Sequence, residues 1–270
     1  MINAIDLTLF LNRINAICEQ MGVVLQQTAF SPNIRDRLDY SCAIFDPEGK
    51  LCAQAAHIPV HLGSMAYAMR DIVSSRDWQA GDTIILNDPY MGGTHLPDVT
   101  FISPVFDADR LVAFVANRAH HADIGSDTPG SMPISRTLEE EGIIISPTLI
   151  CKDAQIIQEQ LDGLINQLRD PTIAIADFTA QISVNQTGID ALIKLIDSCE
   201  ETDFQSYLNE LNDYARRIAL NTFKKLPDGE YPFKDVMDND GITDDEIEIH
   251  CLIKIKDSNI EIDFTNTAKQ

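Results

Sequence analysis

Two apolar runs, Val99 to Phe106 and Leu111 to Ala116, stand on either side of Asp107-Ala108-Asp109, and this arrangement leaves little choice of local fold. β-Branched and aromatic residues flanking a short turn-forming segment pair as a hairpin. If the hairpin turns about Ala108, Asp98 lies across from Arg118 at its open end. His95 and Asp98 on one side then approach His120, His121 and Asp123 on the other. Imidazoles and carboxylates converging on one hairpin mouth are ligands that zinc, manganese or iron accept. The stretch from Asn87 to Gly125, which carries three of the six histidines, therefore reads as a metal site. A plainer alternative is that these histidines cap loops and strand ends. The segments P-D-x-T and H-H-x-D, flanking the same hairpin and opening into Gly-rich turns, favour the metal.

Upstream, Leu9, Ile14, Ile17, Met21, Val24 and Leu25 recur at helical spacing and predict a helix over 6–27, with Asp6 or Thr8 as its cap. A second hairpin is expected where Ser41–Asp46 returns through Pro47-Glu48-Gly49 to Leu51–Gln54, and centring it on Glu48 sets Asp39 opposite His57. Leu62 to Ser74 reads as a helix, with His61 and Gly63 at its start, where free amides could receive an anion. Thr83 to Leu86 is a short strand leading into the Gly92-Gly93 loop. The Pro- and Gly-rich segment 125–142 is expected to border the pocket, and one of Glu139, Glu140 and Glu141 could turn inward as a general base. From Asp153 to Lys225 the apolar spacing is helical.

Near the C-terminus the period changes to two. Ile247, Ile249, Cys251, Ile253 and Ile255 alternate with polar neighbours, and Ile260, Ile262 and Phe264 follow after Asp257-Ser258-Asn259, predicting an antiparallel hairpin. Its polar face is acidic, and the unprotected edge suggests that further chain continues beyond it. The expected fold is therefore mixed α/β (α+β). A metal-site region over 1–150 would be followed by a helical middle over 151–226 and an acidic β-hairpin region over 227–270 that leads into a missing or separate second half.

A formal charge of −22 argues against nucleic acid or an anionic membrane surface as partner, since both demand a basic face. Six dispersed cysteines without C-x-x-C spacing, and no recognisable secretory leader, point to reduced thiols in the cytoplasm.

The runs MGVVLQQTAFSPNIRDRLDYSCAIFD, GKLCAQAAHIPVHLGSM, GDTIILNDPYMGGTHLPDVTFISPVF, LVAFVANRAHHADIGSDTPGSMP and EEEGIIISP resemble the hydantoinase B / 5-oxoprolinase family, over nearly the whole chain. That family includes B subunits of ATP-dependent N-methylhydantoinases and the α subunits of acetone and acetophenone carboxylases. The resemblance implies a divalent metal here, ATP in a separate A-type subunit, and a small cyclic amide as substrate. The absence of G-x-x-x-x-G-K-[ST] and G-x-G-x-x-G agrees with ATP being held elsewhere. Carried over by motif, it implies metal ligands at Asp39, His95 and His120. Asp98, His121 and Asp123 become supporting or alternative ligands, and Glu141 the general base. Family B subunits are about twice this length, so the chain resembles their N-terminal half. The function implied is the metal-bearing subunit of an ATP-dependent cyclic-amide hydrolase. The alternatives are a carboxylase α subunit or a non-catalytic assembly fragment.

Overall fold

The computed structural model describes residues 2–56, 58–128, 130–199 and 203–269. The chain divides into two compact units, Met1–Asn212 and Asp213–Gln270.

The first unit opens with helix α1 (Ala4–Thr28), whose buried stripe runs from Phe10 through Ile14, Ile17, Cys18 and Met21 to Leu25. Asn3, not Asp6 or Thr8, caps it, accepting from the amides of Ile5 and Asp6. Thr8 lies within the helix and donates its hydroxyl back to the Ala4 carbonyl. The short helix α2 (Pro32–Arg35) follows, then β1 (Tyr40–Phe45), β2 (Leu51–Ala56), helix α3 (His61–Ser74) and β3 (Thr83–Leu86). The predicted hairpin is β4 (Asp98–Asp107) with β5 (Arg110–His120). A turn of helix α4 (Leu138–Glu141), the strands β6 (Thr148–Lys152) and β7 (Gln155–Ile156), helices α5 (Gln158–Ile165) and α6 (Pro171–Asp197), and the start of α7 (Phe204–Phe223), which continues past Asn212 into the second unit, complete the series. The middle is thus not purely helical. The β6–β7 hairpin turns at Asp153-Ala154, both at positive φ, and its short apolar run carries too little periodicity to separate from a helix.

Strands β1 to β7 form one antiparallel sheet in the order β2-β1-β5-β4-β3-β6-β7. Because side chains alternate along a strand, Cys42, Ile44 and Val115 face α1 and α6, while Ala43, Phe45, Phe114 and Ala116 face α3. A third apolar cluster joins Val99 and Phe101 to Phe178 of α6 and Leu161 of α5. Both faces of this sheet are therefore covered.

Two registers differ from expectation. The β4–β5 turn has two central residues, with Asp107 paired to Arg110, and a bulge follows between Val105 and Phe106. Together they slide the far end by two residues, so Asp98 faces His120 and Arg118 faces Thr100. In the β1–β2 hairpin a bulge at Ile44/Phe45 sets Ser41 against Ala56 rather than Ala55. The expected Asp39–His57 approach lies outside the described residues, because His57 does.

The second unit holds a three-stranded antiparallel sheet, β10-β9-β8, built from β8 (Gly229–Met237), β9 (Ile247–Lys256) and β10 (Asn259–Asp263). β9 and β10 are the predicted hairpin. β8 is an addition that Pro232 concealed, since proline within a strand is confined to edges and bulges, and β8 lies at an edge. Tyr231, Phe233, Ile253 and Ile262 share one face by register, and Lys234, Glu248, Lys254 and Glu261 the other. No described residue of this unit is buried.

Candidate metal centre

The site forms where β1 and β4 begin and β5 ends, beside the start of α3. Asp98 is the first residue of β4 and is 2% exposed. Thr94 Oγ1 donates to its Oδ2, and His61 Nε2 lies 3.1 Å from the same oxygen. Ser41 Oγ is 2.9 Å from His61 Nδ1, so if Nε2 donates to the carboxylate, Nδ1 accepts from the serine. The second oxygen, Oδ1, is different. His95 Nε2 and His120 Nδ1 approach it to 3.1 and 3.5 Å. Yet Oδ1 is buried with no hydrogen-bond partner. His120 Nδ1 also lies 3.7 Å from Asp39 Oδ2, and the His120 amide donates to the Asp39 carbonyl at 2.9 Å.

Burial alone would raise the Asp98 carboxyl, but the imidazoles of His120, His61 and His95 outweigh it and hold the group below the usual carboxylate range. Burial opposes a charged His120. Asp98, the Gly130 carbonyl and Asp39 reverse that and raise its pKa. Each imidazole is thereby drawn toward a carboxylate that stays ionised.

Arg118 anchors the surrounding loops. Its buried guanidinium donates to Thr100 Oγ1 on β4 at 2.8 Å, to Ser64 Oγ on α3 at 2.6 Å and to the Gly92 carbonyl at 2.7 Å. Burial lowers its pKa to about 10, against the pull of Asp98, and leaves it protonated at neutral pH. Gly92 sits at φ +92, and a Cβ there would fall 2.2 Å from the Ala68 Cβ, so only glycine fits the loop between Asp88 and His95.

Among the residues expected from sequence, Asp39, His95, Asp98 and His120 come together. The ligand atoms of His95, Asp98 and His120 lie within 4.8 Å of one another, as do those of Asp39, His61 and Asp98. This donor set of imidazoles and carboxylates, together with an orphaned carboxylate oxygen at its centre, fits a borderline divalent ion. A cavity of about 450 Å³ opens onto it, lined also by Arg37, Val60 and Met132.

His121, Asp123 and Glu141 are placed elsewhere and do not line that cavity. His121 is buried toward α6, with Nε2 at 2.7 Å from Gln181 Oε1 and its ring against Phe178. Asp123 accepts from the backbone amides of Arg169 and Asp170 at 2.7 and 2.9 Å. Glu141 accepts from Ser135 Oγ at 3.1 Å. His61 is a site residue that the sequence pattern alone does not single out as a ligand. A signal is nevertheless present: His61, Met65, Ala68 and Ile72 fall on one helical stripe whose other members are buried, which turns the imidazole toward the sheet.

Residues 3–270 match the family described as hydantoinase B/oxoprolinase. The chain is 34% identical to 5-oxoprolinase 1 of Arabidopsis thaliana, over 99% of this chain and 23% of that one. It is 31% identical to a Pseudomonas protein named as the B-type subunit of a D-/L-hydantoinase, over 100% of this chain and 48% of the relative. Among solved structures, the ATP-dependent caprolactamase of Pseudomonas jessenii superposes with a TM-score of 0.86 at 25% identity, covering 97% of this chain and 46% of that one. An acetone carboxylase shares the fold with a TM-score of 0.80 at 17% identity, over 97% and 38%. The chain thus spans about half or less of the length of the proteins it matches. With the match running along almost every residue, the chain belongs to the hydantoinase B/oxoprolinase family.

Proposed function

We propose that this chain is the metal-bearing B-type subunit of a cytoplasmic ATP-dependent cyclic-amide hydrolase, acting on an amide that a partner A-type subunit activates with ATP. The observation that carries the reading is the convergence of His95, Asp98 and His120 on a buried, unpartnered Asp98 Oδ1 at the floor of an open cavity. Asp39, His95, Asp98 and His120 would hold zinc, manganese or iron, with His61 orienting Asp98 from behind. A divalent ion so held supplies Lewis-acid polarisation to a carbonyl or a water. The chain's own residues prepare for it. Asp98 is kept ionised by the imidazoles around it, Thr94 donates to its Oδ2, Ser41 fixes its partner His61, and Arg118 closes the loop that carries His95.

Asp39 lines the cavity as a ligand, whereas Glu141, the general base that the family resemblance implies, does not line it. We expect Asp39→Asn to lose metal together with turnover, and a Glu141→Gln variant that keeps its metal but loses turnover would assign the general base to Glu141.

The test is ring opening of 5-oxoproline and hydantoin by the chain with and without an A-type subunit and the remaining half of a B-type subunit. Turnover is expected only in the complex and only with ATP. Turnover by the isolated chain would refute the reading, and ATP consumption that requires bicarbonate would replace it with the carboxylase one.

A further inference from the structure

Arg37 is the one Lys or Arg among the residues lining the cavity above the metal centre. It is exposed and has no ion pair or side-chain hydrogen bond among the described residues. This is unlike Arg35 on the same short segment, which pairs with Asp36 at 3.0 Å, and unlike Arg118 below, each of whose three nitrogens donates to a protein oxygen. The segment is held in place by backbone bonds from Asp36 and Arg37 to the Pro32 carbonyl and from Asp39 to the Asn33 carbonyl, with Leu38 at φ +57 turning the chain between them. Arg37 is therefore delivered to the cavity rim by the same turn that delivers Asp39 to its floor.

Charge balance gives the guanidinium a purpose. The two carboxylates of the cavity, Asp39 and Asp98, are offset by one divalent ion, and Arg37 is then an uncompensated positive charge in a chain of net charge −22. A planar guanidinium with free donors on a cavity wall matches an oxyanion, which it can grip through two parallel hydrogen bonds. The remaining wall beside it, Val60 and Met132, is apolar and suits the carbon skeleton of a small ring.

Resting on the function proposed above, we infer that Arg37 selects substrates carrying an oxyanion. That group is either a carboxylate on the ring or the phosphoryl group placed on the amide during activation. The two sources are separated by probe. The purified chain, loaded with manganese and in parallel without it, is titrated by calorimetry with 5-oxoproline, with 2-pyrrolidinone, which is the same ring without the carboxylate, and with inorganic phosphate. The same titrations are run on Arg37→Met and Arg37→Lys, with folding checked by circular dichroism.

Wild type should prefer 5-oxoproline over 2-pyrrolidinone, and Arg37→Met should weaken 5-oxoproline by roughly tenfold to a hundredfold, the value of a charge-assisted bond, while leaving 2-pyrrolidinone unchanged. Arg37→Lys should recover part of the loss. A loss confined to phosphate would assign the phosphoryl group instead. Equal weakening of charged and neutral probes, or no binding of either anion by wild type, would overturn the inference. Failure to take up manganese would count against the metal centre and, since Asp39 and Asp98 would then stay unoffset, against the charge balance as well, whereas manganese uptake without a preference for the anion would count against Arg37 alone.

Discussion

The two sheets of this chain differ in composition, the strands of the smaller one being richer in charged residues, and they differ in what covers them. In the seven-stranded sheet α1 and α6 lie on one face and α3 on the other, and Phe45, Phe101 and Phe114 are fully buried. In the three-stranded sheet the apolar face carries Phe233 at 64% and Ile262 at 55% exposure. The difference bears directly on polar groups. In the first unit Asp98, His61 and Arg118 are each at most 2% exposed, so the hydrogen bonds they make with Thr94, Ser41 and the Gly92 carbonyl are shielded from water. In the second unit the pairs Lys234–Glu248 and Lys254–Glu261 bridge half-exposed side chains that solvent screens. A site that must hold ligand atoms in fixed positions can be built on the first kind of surface and not on the second.

Substitution of one ring in each sheet is the strongest way to break this contrast. Phe114→Ala removes a side chain that meets Trp78 edge to face at 5.1 Å between ring centres, and should cost about 3–5 kcal/mol in urea unfolding. Phe233→Ala in the isolated chain should cost less than about 0.5 kcal/mol. Comparable losses would mean that the small sheet has a core of its own.

Thiol chemistry reads the same difference through pH. Burial disfavours the charged thiolate and pushes Cys18 up from 9.0 to about 12, and Cys42 well above its ordinary value. Because each pKa unit is tenfold in thiolate, Cys18 at pH 8 should alkylate about a thousandfold more slowly than an ordinary thiol, and its rate should climb until the pH nears 12. Cys251, half-buried on β9, should label first. Mass spectrometry after timed iodoacetamide treatment would show the order, and early labelling of Cys18 would contradict the packing of α1 on β1 and β2.

A smaller effect is expected at the loop that carries His95. Gly92→Ala forces a left-handed backbone and a 2.2 Å contact with Ala68, so the loop must shift, at about 1–3 kcal/mol, and take the Arg118 acceptor with it. Thermal unfolding measures the cost. A variant of unchanged stability would show that the loop does not depend on that turn.

What is legible in the sequence follows the same line. The long β4–β5 hairpin, helix α1 and the β9–β10 hairpin can be read because each repeats its period over many residues. The two-residue slide at Asp98 cannot, since a bulge at Val105/Phe106 leaves no mark on alternation that short. The neighbours His120 and His121 both read as site residues, yet adjacent residues at a strand end point to opposite faces, and the pair divides accordingly between the cavity and Gln181. His61 escapes when its loop is read for free amides rather than for the stripe it shares with Met65 and Ile72. The resemblance leaves Asp98 a supporting or alternative ligand, and its burial and three imidazole neighbours put it at the centre of the cluster.

The central claim is that the covered sheet holds a divalent ion through His95, Asp98 and His120, and the most direct test is the metal content of purified protein by elemental analysis. Wild type should carry about one divalent ion per chain, and His95→Ala and His120→Ala should each lose most of it, because a site of three or four ligands cannot replace one with water and keep its affinity. His121→Ala, on the opposite face, and His250→Ala, beside Glu248 in the second unit, should keep the wild-type content. Retention of metal by both His95→Ala and His120→Ala, or equal loss from His121→Ala, would contradict the account.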